Sequence, residues 1–330
     1  MYISIIGGSG FIGTRLCRRI TNKINADFCI VDKSPSAVFP DKYKHADVRL
    51  VEELRVAITE GTVIINLAAE HRDDVKPLSL YEEVNVAGAN NICAVARERS
   101  VSTIVFTSSV AVYGFAPIGT DESGTISPFN DYGRTKFEAE KIFKAWQSED
   151  AFNRTLVIVR PTVIFGEQNR GNVFNLLRQI SSGLFVMVGD GQNRKSMAYV
   201  ENVAAFLEYS LSFKPGVHIY NYIDKPDFDM NSLIRAINRM LGKSDRISFR
   251  LPYAVGLMIG KAFDLLAAAT RKRLPVSAIR VKKFCANSVY ETALGQLDFI
   301  APWSLTQALE RTVRHEFLES HEHENLFYSE

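Results

Sequence analysis

Tyr2-Ile3-Ser4-Ile5-Ile6-Gly7-Gly8-Ser9-Gly10-Phe11-Ile12-Gly13 decides the fold of this chain. An apolar run of strand length ends on three spaced glycines, and an amphipathic helical pattern over residues 14–20 follows. A dinucleotide needs this order of strand, glycine loop and helix. Gly7 permits a tight turn, Gly10 lets the backbone approach a pyrophosphate, Gly13 allows close packing of helix on strand, and the helix N-terminus faces the anion. A second apolar run, residues 28–31, ends in Val31-Asp32, about 20 residues beyond Gly13. That spacing puts a carboxylate at the adenosine ribose hydroxyls and favours NAD, because a 2′-phosphate would be repelled. Lys33 beside it leaves room for some NADP tolerance.

Working outward, residues 2–6, 28–31, 63–67, 103–107 and 156–159 read as strands, with amphipathic stretches at 14–20, 80–99 and 132–146 between them. The alternation predicts an α/β protein, a doubly wound parallel sheet of Rossmann type with helices on both faces. Past Gly166 the pattern shifts to Gly, Asn and shorter elements. We expect residues 1–165 to form the dinucleotide-binding domain and residues 166–330 to form mainly a smaller C-terminal α/β substrate domain. Residues 197–211 and 217–223 read as a helix and a strand that return to the first domain.

Composition narrows the function classes. Lys plus Arg is 39 against 37 for Asp plus Glu, so no global field attracts nucleic acid. The cysteines Cys17, Cys29, Cys93 and Cys285 are far apart with no CxxC, which indicates neither a disulfide framework nor a metal site. A reducing cytoplasm fits, and Met1 is followed by no basic n-region or cleavage site of a secretory leader.

Tyr132-Gly133-Arg134-Thr135-Lys136 places a phenol and an ammonium at i and i+4 on one helix face. A tyrosine of pKa about 10 is a poor base at neutral pH, and a neighbouring cation stabilises its phenolate. Upstream, Phe106-Thr107-Ser108-Ser109-Val110-Ala111-Val112-Tyr113-Gly114 lies at the carboxyl end of a strand, where such sheets bind ligands. Further matches are Leu67-Ala68-Ala69, Asn85-Val86, Arg160-Pro161-Thr162, Phe165-Gly166 and Tyr199-Val200-Glu201-Asn202-Val203. Together these motifs resemble the extended short-chain dehydrogenases/reductases of the sugar-nucleotide epimerase and dehydratase group.

The resemblance implies a catalytic set of Ser109, Tyr132 and Lys136, with Ser109 sharing the proton of the reacting oxygen with Tyr132 and with Ser108 or Thr107 assisting. Lys136 would also hold the nicotinamide ribose. The cofactor side is expected to comprise Gly7, Gly10, Phe11, Ile12, Gly13, Asp32, Lys33, Asp47, Val48, Leu67, Ala68, Ala69, Asn85, Thr107, Tyr132, Lys136 and Pro161. The substrate side is expected to comprise His71, Ser108, Ser109, Asn172, Arg194 and Lys195, the last two as a pyrophosphate anchor. His71 reads equally well as a structural histidine. Glu138, Glu140 and Lys141 read as a solvated helix face.

Dehydratases of the group carry an Asp-Glu pair where this chain has Ser108-Ser109, so the resemblance implies NAD-dependent 4-epimerisation through a 4-keto sugar. A one-way NAD(P)H-dependent 4-keto-sugar reductase would use the same residues, and a non-catalytic NAD sensor would have lost Tyr132 or Lys136. Residues 68–75, 160–177, 195–200, 280–286 and 328–330 resemble a bacterial subgroup that interconverts GlcNAc- and GalNAc-diphospho-undecaprenol for O-antigen assembly. That implies a lipid-linked diphospho-sugar, a nucleotide-linked UDP-GlcNAc being the alternative. The resemblance also implies a homodimer built on helices 80–99 and 132–146.

Residues 251–270 are strongly apolar, and Arg271, Lys272, Arg273, Arg280, Lys282 and Lys283 follow. Lys261 and Asp264 interrupt the run, so it should not span a bilayer. It reads either as an interfacial helix with cations on anionic headgroups, a peripheral contact with the inner face of the membrane, or as a core helix with a basic loop. Phe284 falls where UDP-hexose epimerases have the residue that gates an N-acetyl group.

Overall fold

The computed structural model describes residues 1–330 except 25, 73–74, 248, 271–276, 323 and 329–330. In chain order the first half runs β1 (Tyr2–Ile6), α1 (Phe11–Lys23), β2 (Asp27–Asp32), β3 (Tyr43–His45), α2 (Val51–Ala57), β4 (Val63–Asn66), α3 (Ser79–Tyr81), α4 (Gly88–Glu98), β5 (Thr103–Thr107), α5 (Asp131–Ser148) and β6 (Thr155–Pro161). A π-helical stretch, Glu82–Ala87, joins α3 to α4, and a 3₁₀ turn, Val110–Tyr113, follows β5. The second half runs β7 (Val163–Phe165), α6 (Asn172–Ser181), β8 (Met187–Val188), β9 (Arg194–Tyr199), α7 (Val200–Tyr209), β10 (Gly216–Tyr222), β11 (Asp224–Asp229), α8 (Met230–Met240), β12 (Arg250–Leu251), α9 (Tyr253–Thr270), α10 (Ala278–Cys285) and α11 (Leu305–Phe317).

Seven strands form one parallel sheet in the order β10-β6-β5-β4-β1-β2-β3. This is the doubly wound α/β sheet expected from the alternation of strand and helix, and the chain reverses direction across it between β1 and β4. The apolar alternation along each strand feeds two cores. Ile3 and Ile5 pack with Leu16 and Ile20 of α1 and Phe206 of α7 on one face. Ile6, Ile64 and Phe106 pack with Ile92 of α4 and Phe143 and Trp146 of α5 on the other. A third core joins α6, α8 and α11 over the three-stranded sheet β11-β9-β7.

Two elements differ from the sequence reading. Met197–Tyr199 is the end of strand β9 rather than helix, and α7 starts at Val200. The β-propensity of the run and its pairing with β7 and β11 override the helical period there. Helix α9 forms as expected but is not a core helix. Among its described residues only Gly256 and Gly260 are buried, while Met258, Leu265 and Leu266 are 62%, 74% and 50% exposed. Among the described residues no helix is long and apolar enough to cross a membrane. Arg271, Lys272 and Arg273, and the terminal pair 329–330, lie outside the described residues.

Candidate active site

At the point where the sheet reverses, two loops touch. Gly7 has φ +76°, and a Cβ there would lie 2.6 Å from the Ala68 amide nitrogen. A Cβ on Gly13 would lie 2.5 Å from the Gly8 Cα, so α1 can sit this close only without a side chain. Gly10 caps α1 with no side-chain hydrogen bond, leaving the helix amides open at its N-terminus. Asp32 sits at the lip of this cradle, its carboxylate accepting hydrogen bonds from the Ser9 amide at 3.1 Å and the Ser34 amide at 3.0 Å. Phe11 meets Phe327 of the C-terminal tail at 5.8 Å between ring centroids, and the tail pairs with Gln168–Arg170. Nothing in the spacing of the sequence signals that contact.

Other cofactor-side candidates split into those that face this loop and those already engaged. Leu67 and Ala68 follow β4, the Leu67 amide bonding to the Ile6 carbonyl at 2.8 Å. Asn85 is buried and exchanges hydrogen bonds with the Glu70 backbone while donating to Thr135 Oγ1 at 3.0 Å. It therefore ties the loop of Ala68 and Ala69 to α5. Asp47 is held by Arg49 at 2.7 Å, which keeps its carboxyl below the usual range, and Val48 packs on Gly88. Lys33 is exposed and Pro161 is buried at the end of β6.

Ser109 and Tyr132 come together from opposite sides of a turn. Ser109 caps the 3₁₀ turn, its Oγ accepting from the Ala111 amide at 3.1 Å. Asn130 caps α5 by accepting from the Gly133 amide at 2.9 Å, and a Cβ on Gly133 would lie 2.4 Å from the Ala111 carbonyl oxygen. The glycine after the tyrosine is what lets α5 begin against the turn. A hydrogen bond joins Ser109 to Tyr132. Burial raises the Tyr132 phenol above its ordinary value and that hydrogen bond opposes the rise, so the free protein holds the proton on oxygen.

Lys136, one turn further along α5, is 2% exposed and rests 4.3 Å over the Phe106 ring. Burial pulls its pKa down to about 7, against the field of Glu140. Its ammonium has no hydrogen-bond acceptor among the described residues, and Thr107 Oγ1 is buried and likewise without a partner. The open helix terminus, the glycine cradle, the lip carboxylate and these two unpartnered groups fit a dinucleotide laid from α1 to α5.

Several expected roles are corrected by the packing. Glu140 is fully buried, not solvated: Arg160 grips it at 2.8 and 2.6 Å, and Ser108 Oγ donates to it at 2.6 Å. Ser108 thus points into this buried network rather than at a ligand. Arg160 also donates to the Tyr113 hydroxyl at 2.6 Å, and Tyr113 to Asn221 at 2.9 Å. Lys195 does not present a free cation, because its ammonium donates to the Lys283 carbonyl at 2.8 Å and the Ala286 carbonyl at 2.6 Å. Burial lowers its pKa to about 8. Arg194 is exposed and bonds to the Asp227 carbonyl at 3.3 Å, and Asn172 is exposed at the start of α6. Phe284 packs on Phe185 in the third core, and its neighbour Cys285 lines the adjoining cleft.

His71 is exposed on the loop after Ala69, in the field of Lys136. Although the ring reaches solvent, its desolvated surroundings hold its pKa below the histidine value, while a hydrogen bond to the Ala69 backbone opposes this. Asp73 and Asp74 beyond it lie outside the described residues.

Comparison with known proteins adds three findings. A model of the NAD dependent epimerase/dehydratase family matches residues 3–222. The N-acetyl-alpha-D-glucosaminyl-diphospho-ditrans,octacis-undecaprenol 4-epimerase of Escherichia coli O157:H7 is 45% identical over 332 residues, covering 99% of each chain. Among solved structures, the Thermus thermophilus UDP-glucose 4-epimerase in complex with NAD superposes with a TM-score of 0.71 at 19% identity, covering 96% of this chain and 98% of that one. The UDP-N-acetylglucosamine 4-epimerase of Bacillus cereus gives a TM-score of 0.74 at 18% identity, covering 95% and 98%.

Proposed function

We propose that this chain, which belongs to the NAD dependent epimerase/dehydratase family, inverts C4 of a GlcNAc diphosphate carried on undecaprenol, interconverting it with the GalNAc form for surface polysaccharide assembly. The carrying observation is the 45% identity along 99% of both chains to an epimerase named for that substrate, on top of a site that keeps Ser109, Tyr132 and Lys136.

Bound NAD would supply the hydride acceptor and donor for oxidation and re-reduction at C4 of the sugar. Gly7, Gly10 and Gly13 with the α1 N-terminus would cradle its pyrophosphate, and Asp32 would take the adenosine ribose hydroxyls. Lys136 would bond the nicotinamide ribose, for which its unpartnered ammonium is free. Tyr132 accepts the C4 hydroxyl proton and gives it back. Ser109, already bonded to Tyr132, orients that oxygen. The phenol needs cationic help to ionise, so proton removal waits until Lys136 and the ligand are charged and in place.

A peripheral seat on the inner face of the membrane and a homodimer through α4 and α5 complete the proposal. The exposed apolar face of α9 with Arg280, Lys282 and Lys283 on α10 supports the first. Light scattering tests the second, a monomer at working concentration counting against it.

The deciding experiment incubates the protein with GlcNAc-diphospho-undecaprenol and, separately, UDP-GlcNAc, and analyses the sugars. Conversion of only the nucleotide sugar overturns the substrate. NADH consumed in step with product overturns epimerisation in favour of reduction.

A further inference from the structure

A cleft of about 940 Å³ lies between the end of β8 and α10, at the upper end of ordinary ligand pockets, about 300–1,000 Å³. Neither Ser109 nor Tyr132 lines it; its link to them is Phe115, which follows the 3₁₀ turn that Ser109 caps. Phe115, Val188, Leu251, Pro252 and Tyr253 make its walls predominantly apolar.

The polar groups on the cleft are mostly engaged. Asn193 donates its amide to the Phe284 carbonyl at 2.7 Å, Cys285 donates its thiol to the Val188 carbonyl, and Asp190 accepts from the Gln192 amide. Arg250 bonds to the Asp190 carbonyl and to Asn231. Lys282 is exposed and makes no hydrogen bond or ion pair among the described residues. A base and ribose would have to leave polar groups unpaired on these walls, whereas an apolar chain leaves none. An anionic diphosphate is met by Lys282 and Arg250.

Tyr253 also begins α9, so the cleft wall runs directly into that helix. A Cβ on Gly256 would lie 2.4 Å from Val188 Cγ1, and one on Gly260 2.8 Å from the Ala278 Cα. The two glycines seat α9 on the body, and its larger apolar side chains face outward. The acid in this apolar helix has a local task, since Asp264 accepts from the Ala278 amide at 3.1 Å.

We propose that this cleft holds the diphosphate and the first isoprene units of the lipid carrier, and that the outer face of α9 hands the rest of the chain to the bilayer surface. It rests on the lipid-linked substrate proposed above. The cleft favours a polyprenyl chain by its apolar walls, which run from Phe115 and Val188 through Leu251 and Pro252 to Tyr253 at the start of α9.

The test uses the full-length protein with GlcNAc diphosphates bearing either the undecaprenyl chain or a short water-soluble isoprenyl chain, and the double variant Phe115→Ser/Tyr253→Ser. Both side chains are largely exposed, 60% and 43%, so their loss leaves folding intact, as far-UV circular dichroism and the melting temperature check. The expected result is a fall of about tenfold or more in the ratio of kcat/KM for the long chain to that for the short chain. A second variant, Met258→Asp/Leu265→Asp, should release the protein from vesicles containing anionic lipid and lower the same ratio. If wild-type protein turns over the undecaprenyl substrate and neither variant moves the ratio, the cleft assignment is wrong and the substrate stands. If wild-type protein turns over only UDP-GlcNAc, the substrate itself is wrong and the inference goes with it.

Discussion

Replacing Lys136 with Met should abolish activity and make the NAD-free protein more stable at pH 7. The ammonium is 2% exposed, and burial takes its pKa from 10.5 to about 7. At 1.36 kcal/mol per pKa unit, that interval is a native-state penalty of about 5 kcal/mol when the lysine is charged in both states. The folded pKa lies below the unfolded one, so the unfolded chain binds more protons between pH 7 and 10.5. The penalty is therefore nearly full at pH 7 and disappears as pH rises through that window. Methionine keeps most of the volume but loses the contact with the Phe106 ring, worth about 1–2 kcal/mol. The net expectation is a gain of about 3–4 kcal/mol at pH 7 that shrinks towards zero by about pH 10. Urea unfolding of stripped wild-type and variant protein at several pH values measures it, the difference removing every other titrating group. A variant less stable than wild type at pH 7, or a difference that ignores pH, would refute the claim that burial penalises the Lys136 charge in the ligand-free protein.

Three further substitutions probe separate parts of the site. Tyr132→Phe should lower kcat by about 10²–10⁴-fold while retained NAD, read by absorbance after denaturation, stays at the wild-type level. Gly13→Ala drives a Cβ to 2.5 Å from the Gly8 Cα, where only backbone could yield; the protein should purify without NAD and melt at lower temperature. Glu140→Ala leaves Arg160 buried and unpaired, so denaturant titration should find about 3–5 kcal/mol of lost stability.

The fold and the spacing of the candidate catalytic pair were legible in the sequence because their signals are local. A strand, three glycines and a helix fit within the first 23 residues, and Tyr132 and Lys136 share one helix face whatever packs on it. The misreadings all turn on partners distant in sequence. Glu140 looks solvated beside Glu138 and Lys141 until Arg160 arrives from β6. Lys195 looks like an anchor until the carbonyls of Lys283 and Ala286 surround its ammonium. Phe284 and Cys285 are adjacent, and only the packing of α10 decides which one enters the core. The apolar run of α9 has no dominant face, so periodicity could not say whether it is covered.

What the folded chain leaves unsatisfied is sorted in space by polarity. At the carboxyl ends of β1 and β5 and on α5, the open amides of α1, the Thr107 hydroxyl and the Lys136 ammonium have no hydrogen-bond partner among the described residues. Along β12, α9 and the cleft, the uncovered groups are instead Tyr253, Met258, Leu265 and Leu266, with Lys282 beside them a cation that has no partner among the described residues. Each deficit costs stability when nothing is bound, and buried polar groups without partners cost most. NAD would satisfy the first set and leave the second facing water. The proposed sugar diphosphate on a polyprenyl chain would cover the second, its charge meeting Lys282 and Arg250 and its tail lying on α9. Two ligands of different polarity, a dinucleotide and an amphiphilic substrate, would therefore be needed to cover what the fold leaves open, which is the physical content of the proposal.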